Sequence, residues 1–65
     1  MKCIINDRKK IVKKIKFKGK ISELLSKLNI NSEVVILKRN GALVTEMDVL
    51  KDNDELEIVR VIYGG

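Results

Sequence analysis

Histidine is absent from this chain, cysteine occurs once, and the aromatic residues are Phe17 and Tyr63 alone. A single cysteine forms no internal disulfide, and with no histidine to join it in a zinc site, neither a bridge nor a metal can staple the fold. The remaining residues assemble no catalytic site. There is no nucleophile paired with a base and no phosphate loop with glycine and lysine at the needed spacing, and 65 residues are too few to enclose a substrate pocket. The expectation is a non-enzyme with no catalytic residues, no metal and no bound cofactor. No apolar run approaches the roughly 18 residues of a spanning helix, and the apolar run within Met1-Lys2-Cys3-Ile4-Ile5-Asn6 is too short for a signal peptide. Together with the cysteine usage, this reads as a cytoplasmic protein with no membrane partner.

A chain of this length is one domain that buries about 60% of the surface its unfolded form exposes, so every element must share one compact core. The net charge of +5 conceals an asymmetry. Residues 1–20 carry nine basic residues against one acid, Asp7, for a net of +8, whereas residues 21–65 carry five basic and eight acidic residues, for a net of −3. A basic block of this kind steers acidic partners at long range, within a screening length of about 8 Å at physiological salt.

Hydrophobic periodicity divides the chain. Residues 2–6 read as a strand with Met1, Cys3 and Ile5 facing the core, and Asn6-Asp7-Arg8-Lys9 reads as a hairpin turn. The return strand, 10–18, places Ile11, Ile15 and Phe17 in phase and Lys14, Lys16 and Lys18 opposite, with Lys13 breaking the pattern. Either Lys13 snorkels at the sheet edge or a bulge turns Val12 inward. Beyond Gly19 the period becomes helical, with Ile21, Leu24, Leu25 and Leu28 forming one stripe, Ser22 a candidate N-cap and Asn29 a C-terminal stop. Val34-Val35-Ile36-Leu37 has the continuous apolar character of an inner strand, and Asn40-Gly41 is a two-residue hairpin signal leading to a short strand, 42–44. A turn with Met47, Val49 or Leu50 tucked beneath it follows. After a second turn at Lys51-Asp52-Asn53-Asp54, the last strand, 55–62, points Leu56 and Ile58 inward and Glu55, Glu57 and Val59 outward. The economical arrangement is an α+β fold: a mixed sheet of four to five strands wrapped around one helix, with the first and last strands adjacent and parallel at its centre.

The last strand runs into Tyr63-Gly64-Gly65, which divides the chain into a domain, 1–62, and a flexible Gly-Gly tail, 63–65. Glycine makes up about 7% of average composition, so two in succession at one fixed place arise by chance in roughly 0.5% of chains. Without Cβ atoms the pair forms a thin tether that can thread a narrow channel and present an α-carboxylate.

Asn40-Gly41 after an apolar strand, then Leu50-Lys51-Asp52-Asn53-Asp54-Glu55-Leu56-Glu57-Ile58-Val59, then Val61-Ile62-Tyr63-Gly64-Gly65, together resemble the β-grasp, ubiquitin-like sulfur carriers of the ThiS and MoaD type. The likeness covers nearly all of the chain. Asn53 stands where the family usually has glycine and tolerates the left-handed conformation such a turn uses. The resemblance implies that an E1-like adenylyltransferase uses ATP to convert the Gly65 carboxylate into an acyl adenylate. A sulfur donor, persulfide or sulfide, then displaces AMP, and the resulting thiocarboxylate passes its sulfur to an accepting synthase or thiolase. Gly64 and Tyr63 would thread the tail, with Tyr63 marking where the folded body ends. The destinations this implies are thiazole synthesis for thiamine or tRNA thiolation, ahead of molybdopterin, whose carriers are usually longer.

Val59 and Ile4, apolar on outward faces, are candidates for a partner-binding patch near the tail. The lysine-rich segment reads as a solvated outer face that discourages strand pairing, or as a docking surface for an acidic partner or for tRNA bound to it. With two aromatic residues there is no stacking platform, which argues against direct nucleic-acid binding. Cys3 reads as a small core residue, its inward direction arguing against a redox or persulfide site. Two other functions remain. A protein modifier joined to lysines through Gly65 would produce conjugates that vanish when Gly65 is deleted, and a small RNA-binding β-grasp module would keep its function without Gly64 and Gly65.

Overall fold

The computed structural model describes residues 1–31 and 35–60. Strand β1 (Lys2–Asn6) pairs antiparallel with β2 (Lys10–Lys14) through the expected hairpin, and parallel with the last strand, β7 (Glu55–Arg60). β4 (Val35–Arg39) flanks β7 on its other side and is itself paired with β5 (Ala42–Val44), giving the order β2-β1-β7-β4-β5. The parallel pairing of the first and last strands, with β7 at the centre, is as the sequence predicts. A second, two-stranded sheet joins β3 (Gly19–Lys20) to β6 (Val49–Leu50). It was not visible in the sequence because neither strand is long enough to show alternation. Gly19 holds φ +144°, and a Cβ there would lie 3.0 Å from Glu23 Oε2, so β3 depends on the glycine.

The α-helix among the described residues, α1 (Ile21–Lys27), turns Ile21, Leu24 and Leu25 into the core, with Leu28 packed behind them. Ser22 is not its cap. The helix begins two residues earlier than a Ser22 cap would set it, after Lys20, which makes no side-chain cap. Its first donors are met from another part of the chain: the Ile21 N–H donates to the Asp48 carbonyl and the Ser22 N–H to the Glu46 carbonyl, each at 2.9 Å. Tertiary carbonyls thus replace the side-chain cap, satisfying groups that a helix end leaves open. At the other end Asn29 takes φ +57°. The Ile30 N–H reaches back to Leu25 and the Asn29 N–H to Ser26, the two bonds of a Schellman stop.

The core gathers Cys3, Phe17, Ile21, Leu24, Leu25, Leu37, Leu50, Leu56 and Ile58, with Met1, Ile5 and Ile15 half-buried against it. Leu50 is the residue tucked beneath the 45–49 turn, while Met47 and Val49 stay exposed. The return strand is shorter than the 10–18 expected, ending at Lys14 where its ladder with β1 ends, and only Met1 and Ile15 exchange bonds beyond it. Ile11 faces the core side yet is 43% exposed, because β2 is an edge strand covered from one side only. The register Cys3↔Lys13 and Ile4↔Val12 settles the open question there: no bulge intervenes, Lys13 sits at the core-side rim and Val12 faces out.

Both hairpin residues Asn40 (φ +51°) and Gly41 (φ +85°) are left-handed, as a primed two-residue turn requires. Asn40 also clamps the second turn. Its amide nitrogen donates to Asp54 Oδ1 at 3.1 Å and its Oδ1 accepts from the Glu55 N–H at 2.9 Å. Within that turn the Asp54 N–H meets the Lys51 carbonyl and the Lys51 N–H meets Asp54 Oδ2. Asn53 does not adopt a left-handed φ, contrary to expectation, because this closure bends the chain without one.

The Lys51 N–H first, and then the Asn40 amide, hold the Asp54 carboxyl below its ordinary 3.8, against a smaller opposing effect of desolvation. A depressed folded-state value means a stabilising contribution fully present above pH 3.8 and lost as pH falls through the lowered value. An NMR titration is expected to place the Asp54 midpoint below 3.8, and Asn40→Ala to move it back upward. A wild-type midpoint at or above the ordinary value would show that the clamp does not hold in solution.

Candidate functional site

The tail residues Tyr63, Gly64 and Gly65, on which the sequence places the reactive group, lie outside the described residues, as do Val34, Val61 and Ile62. What the structure defines is the platform that leads to them. β7 is flanked by β1 and β4 up to its end, with Asn6↔Val59 on one side and Ile36↔Val59, then Val35↔Arg60, on the other. Arg60, the last described residue, donates to Asp7 Oδ2 at 3.3 Å, tying the end of the strand to the turn between β1 and β2. Both side chains are solvent-accessible, so this bond fixes direction more than it stabilises.

Away from the helix, cross-strand register sets the outer face of the sheet in rows. Val12, Ile4, Glu57, Lys38 and Leu43 form one row, and Lys10, Asn6, Val59 and Ile36 the next, nearer the strand exit. The two residues expected to form a partner patch, Val59 and Ile4, do share this face. Their exposure differs from expectation. Ile4 is only 9% exposed and Val59 is half-buried, because each lies between neighbours on both flanking strands. The accessible apolar surface is supplied instead by Ile36, 44% exposed, Val12, 51%, and Leu43, 73%. The continuous run Val35-Ile36-Leu37 had concealed Ile36, since an apolar residue at every position shows no alternation from which to read a face. The Asn6 amide donates to Glu57 across the β1–β7 pair, so the polar part of the face is engaged internally.

Cys3 is buried beneath the helix, and burial pushes its thiol above the usual range, with the Lys13 charge a smaller opposing influence. A protonated, enclosed thiol is a poor nucleophile. Among the described residues no group of three or more potential ligands could hold a metal ion, and no helix is long and apolar enough to cross a membrane.

One helix across a mixed five-stranded sheet, with first and last strands parallel at its centre, defines the ubiquitin-like β-grasp class. Residues 5–65 match the model of the ThiS family. Over 55 residues the chain is 34% identical to a protein of Thermus thermophilus named Sulfur carrier protein TtuB, covering 82% of this chain and 85% of that one. The chain belongs to the ThiS family of ubiquitin-like sulfur carriers. These are small carrier proteins rather than enzymes, and they work with an E1-like activating enzyme and with sulfur-accepting partners.

Proposed function

We propose that this protein carries sulfur on the Gly65 carboxylate. The observation that carries this reading is that the family match runs through residue 65, at the end of the segment that follows the sheet's central strand. A carboxylate is a poor electrophile, so activation comes from a partner. A Gly65 carboxylate oxygen attacks the α-phosphate of ATP in the E1-like enzyme, pyrophosphate leaves, and the acyl carbon gains AMP as a leaving group. Sulfide displaces AMP to give the thiocarboxylate directly; a persulfide donor displaces AMP to give an acyl disulfide, whose S–S bond a thiol of the donor cleaves, freeing the thiocarboxylate and leaving a disulfide. The thiocarboxylate sulfur then attacks the acceptor in a synthase or thiolase, and water hydrolyses the acyl–sulfur bond to return the carboxylate. The carrier contributes recognition and reach: a body of residues 1–62, a tail of 63–65 with Tyr63 at the junction, and no bound cofactor. The setting is the cytoplasm, and the destination of the sulfur is thiazole synthesis or tRNA thiolation.

The outer face near the end of β7, Val59 and Ile36 with Val12 and Leu43 outside them, is the surface that seats the activating enzyme, since it sets an apolar patch beside the last described residues of the strand. Incubation with the activating enzyme, ATP and sulfide, followed by intact-mass measurement, is expected to find the chain heavier by the difference between sulfur and oxygen. A chain that remains a carboxylate while ATP is consumed would refute the proposal. Ile36→Glu is expected to slow loading by about tenfold or more, the scale of one interface hot spot, while shifting stability by only about 0.5 kcal/mol, as surface changes do. Unchanged loading kinetics would move the docking surface elsewhere.

A further inference from the structure

We propose that the β2 edge and the segment that follows it form a ridge that binds the phosphate backbone of RNA. Between residues 8 and 20 the chain carries Arg8, Lys9, Lys10, Lys13, Lys14, Lys16, Lys18 and Lys20 and no acidic residue. All eight are exposed. The ion pairs among the described residues are Lys2–Glu55 and Arg60–Asp7, and neither uses a cation of this set. Asp7, the one acid of the first twenty residues, is held by Arg60 and does not neutralise the ridge.

Register makes this a projecting ridge. Lys10 and Lys14 lie opposite Asn6 and Lys2 on the outer face, whereas Lys13 lies opposite Cys3 on the core side, so cations flank the free edge of the sheet on both faces. Protection of an edge strand against pairing accounts for lysines on β2. It does not account for Lys16 and Lys18, which follow the strand, or for Lys20, which is paired in β3.

Two features favour RNA phosphate over an acidic protein surface. Seven of the eight cations are lysine, whereas protein interfaces are depleted in lysine and favour arginine, whose planar fork pairs with carboxylates. On β2 itself the exposed apolar residues are Ile11 and Val12, set among Lys10, Lys13 and Lys14, so charge dominates the edge, while Ile36 and Leu43 lie across the outer face where the activating enzyme is placed above. The scarcity of aromatic residues removes base stacking but not phosphate binding, which needs charge alone. A carrier with its own phosphate contacts suits an acceptor enzyme already holding a transfer RNA. That consequence rests on the sulfur-carrier reading; the binding itself does not.

The test is equilibrium binding of the full chain to mixed transfer RNA across a salt series. With about six phosphate contacts, affinity is expected to fall about a thousandfold between about 50 and 200 mM salt. Combining Lys10→Gln, Lys13→Gln and Lys14→Gln is expected to lower the slope of log affinity against log salt by about 3, near one for each lost phosphate contact. The control carrying Lys27→Gln, Lys38→Gln and Lys51→Gln, with equal loss of charge, is expected to change it by less than about 1. Thermal unfolding of both variants checks that the fold persists. Equal losses in the two variants would reduce the effect to net charge and overturn the proposal, as would absence of saturable binding at the lowest salt. Displacement of RNA by polyglutamate at equal charge concentration would transfer the ridge to an acidic protein. Sulfur loading of the unsubstituted chain, measured by mass, reports separately on the carrier function.

Discussion

Deletion of Gly65 is expected to reduce thiocarboxylate formation to background while leaving the unfolding transition where it is in the intact chain. The reasons are separable in the structure. Among the described residues the buried core runs from Cys3 to Ile58 and the strand pairings that enclose it run to Arg60, so the deletion removes none of these contacts. What it removes is the carboxylate that sits two glycines beyond Tyr63 at the proposed reach. The shortened chain presents a Gly64 carboxylate one residue short, up to about 3.5 Å of extended chain, and a reacting atom displaced by about 1 Å already costs on the order of a hundredfold. Adding a residue after Gly65 is expected to do the same from the other side. The measurement is intact mass after activation, with thermal unfolding run in parallel. Thiocarboxylate formed at the native rate on the shortened chain would show that the enzyme does not measure the tail and that Gly65 is not the required acceptor. Loss of both loading and fold would instead place Gly65 in the structural body, against the division at 62–63.

The platform and the tail differ in how far the sequence discloses them. Leu56 and Ile58 alternate with charged residues, so the inward face of β7 could be read directly, and the apolar stripe from Ile21 to Leu28 marked the covered face of the helix. Asn40-Gly41 and Asn29 were legible because few residues accept positive φ, and both asparagines do. Interactions between distant segments were not legible. Nothing local in Ile21 or Ser22 shows that the Asp48 and Glu46 carbonyls will receive their N–H groups, or that Arg60 will meet Asp7 across 53 positions. Two-residue strands such as β3 and β6 carry no periodicity at all. The outer apolar face was half visible. Val59 and Ile4 were identified by alternation, but their exposure depends on neighbours contributed by β1, β2, β4 and β7 together, and that sum is a property of the assembled sheet.

Leu56→Ala is expected to have the largest effect on stability, and its consequence for function follows from the topology. Leu56 is fully buried in the central strand, opposite Cys3 on β1 and Arg39 on β4. Truncating such a leucine costs about 2–5 kcal/mol, because the lost transfer energy is compounded by a cavity that the surroundings fill only partly. A chain of 65 residues has a total stability of about 3–10 kcal/mol at 0.05–0.15 kcal/mol per residue, so this one change consumes much or all of the margin. Urea unfolding is expected to show the midpoint falling sharply or the native baseline disappearing, whereas Ile36→Ala, on the half-open outer face, is expected to cost less than about 1 kcal/mol. Loading should then separate the two. Leu56→Ala loses activity in proportion to the unfolded fraction and regains it under conditions that restore folding, because the platform that aims the tail is what has been lost. Ile36→Ala stays folded and is impaired in docking alone. A loss below about 1 kcal/mol for Leu56→Ala would mean that the central strand does not close the core as described.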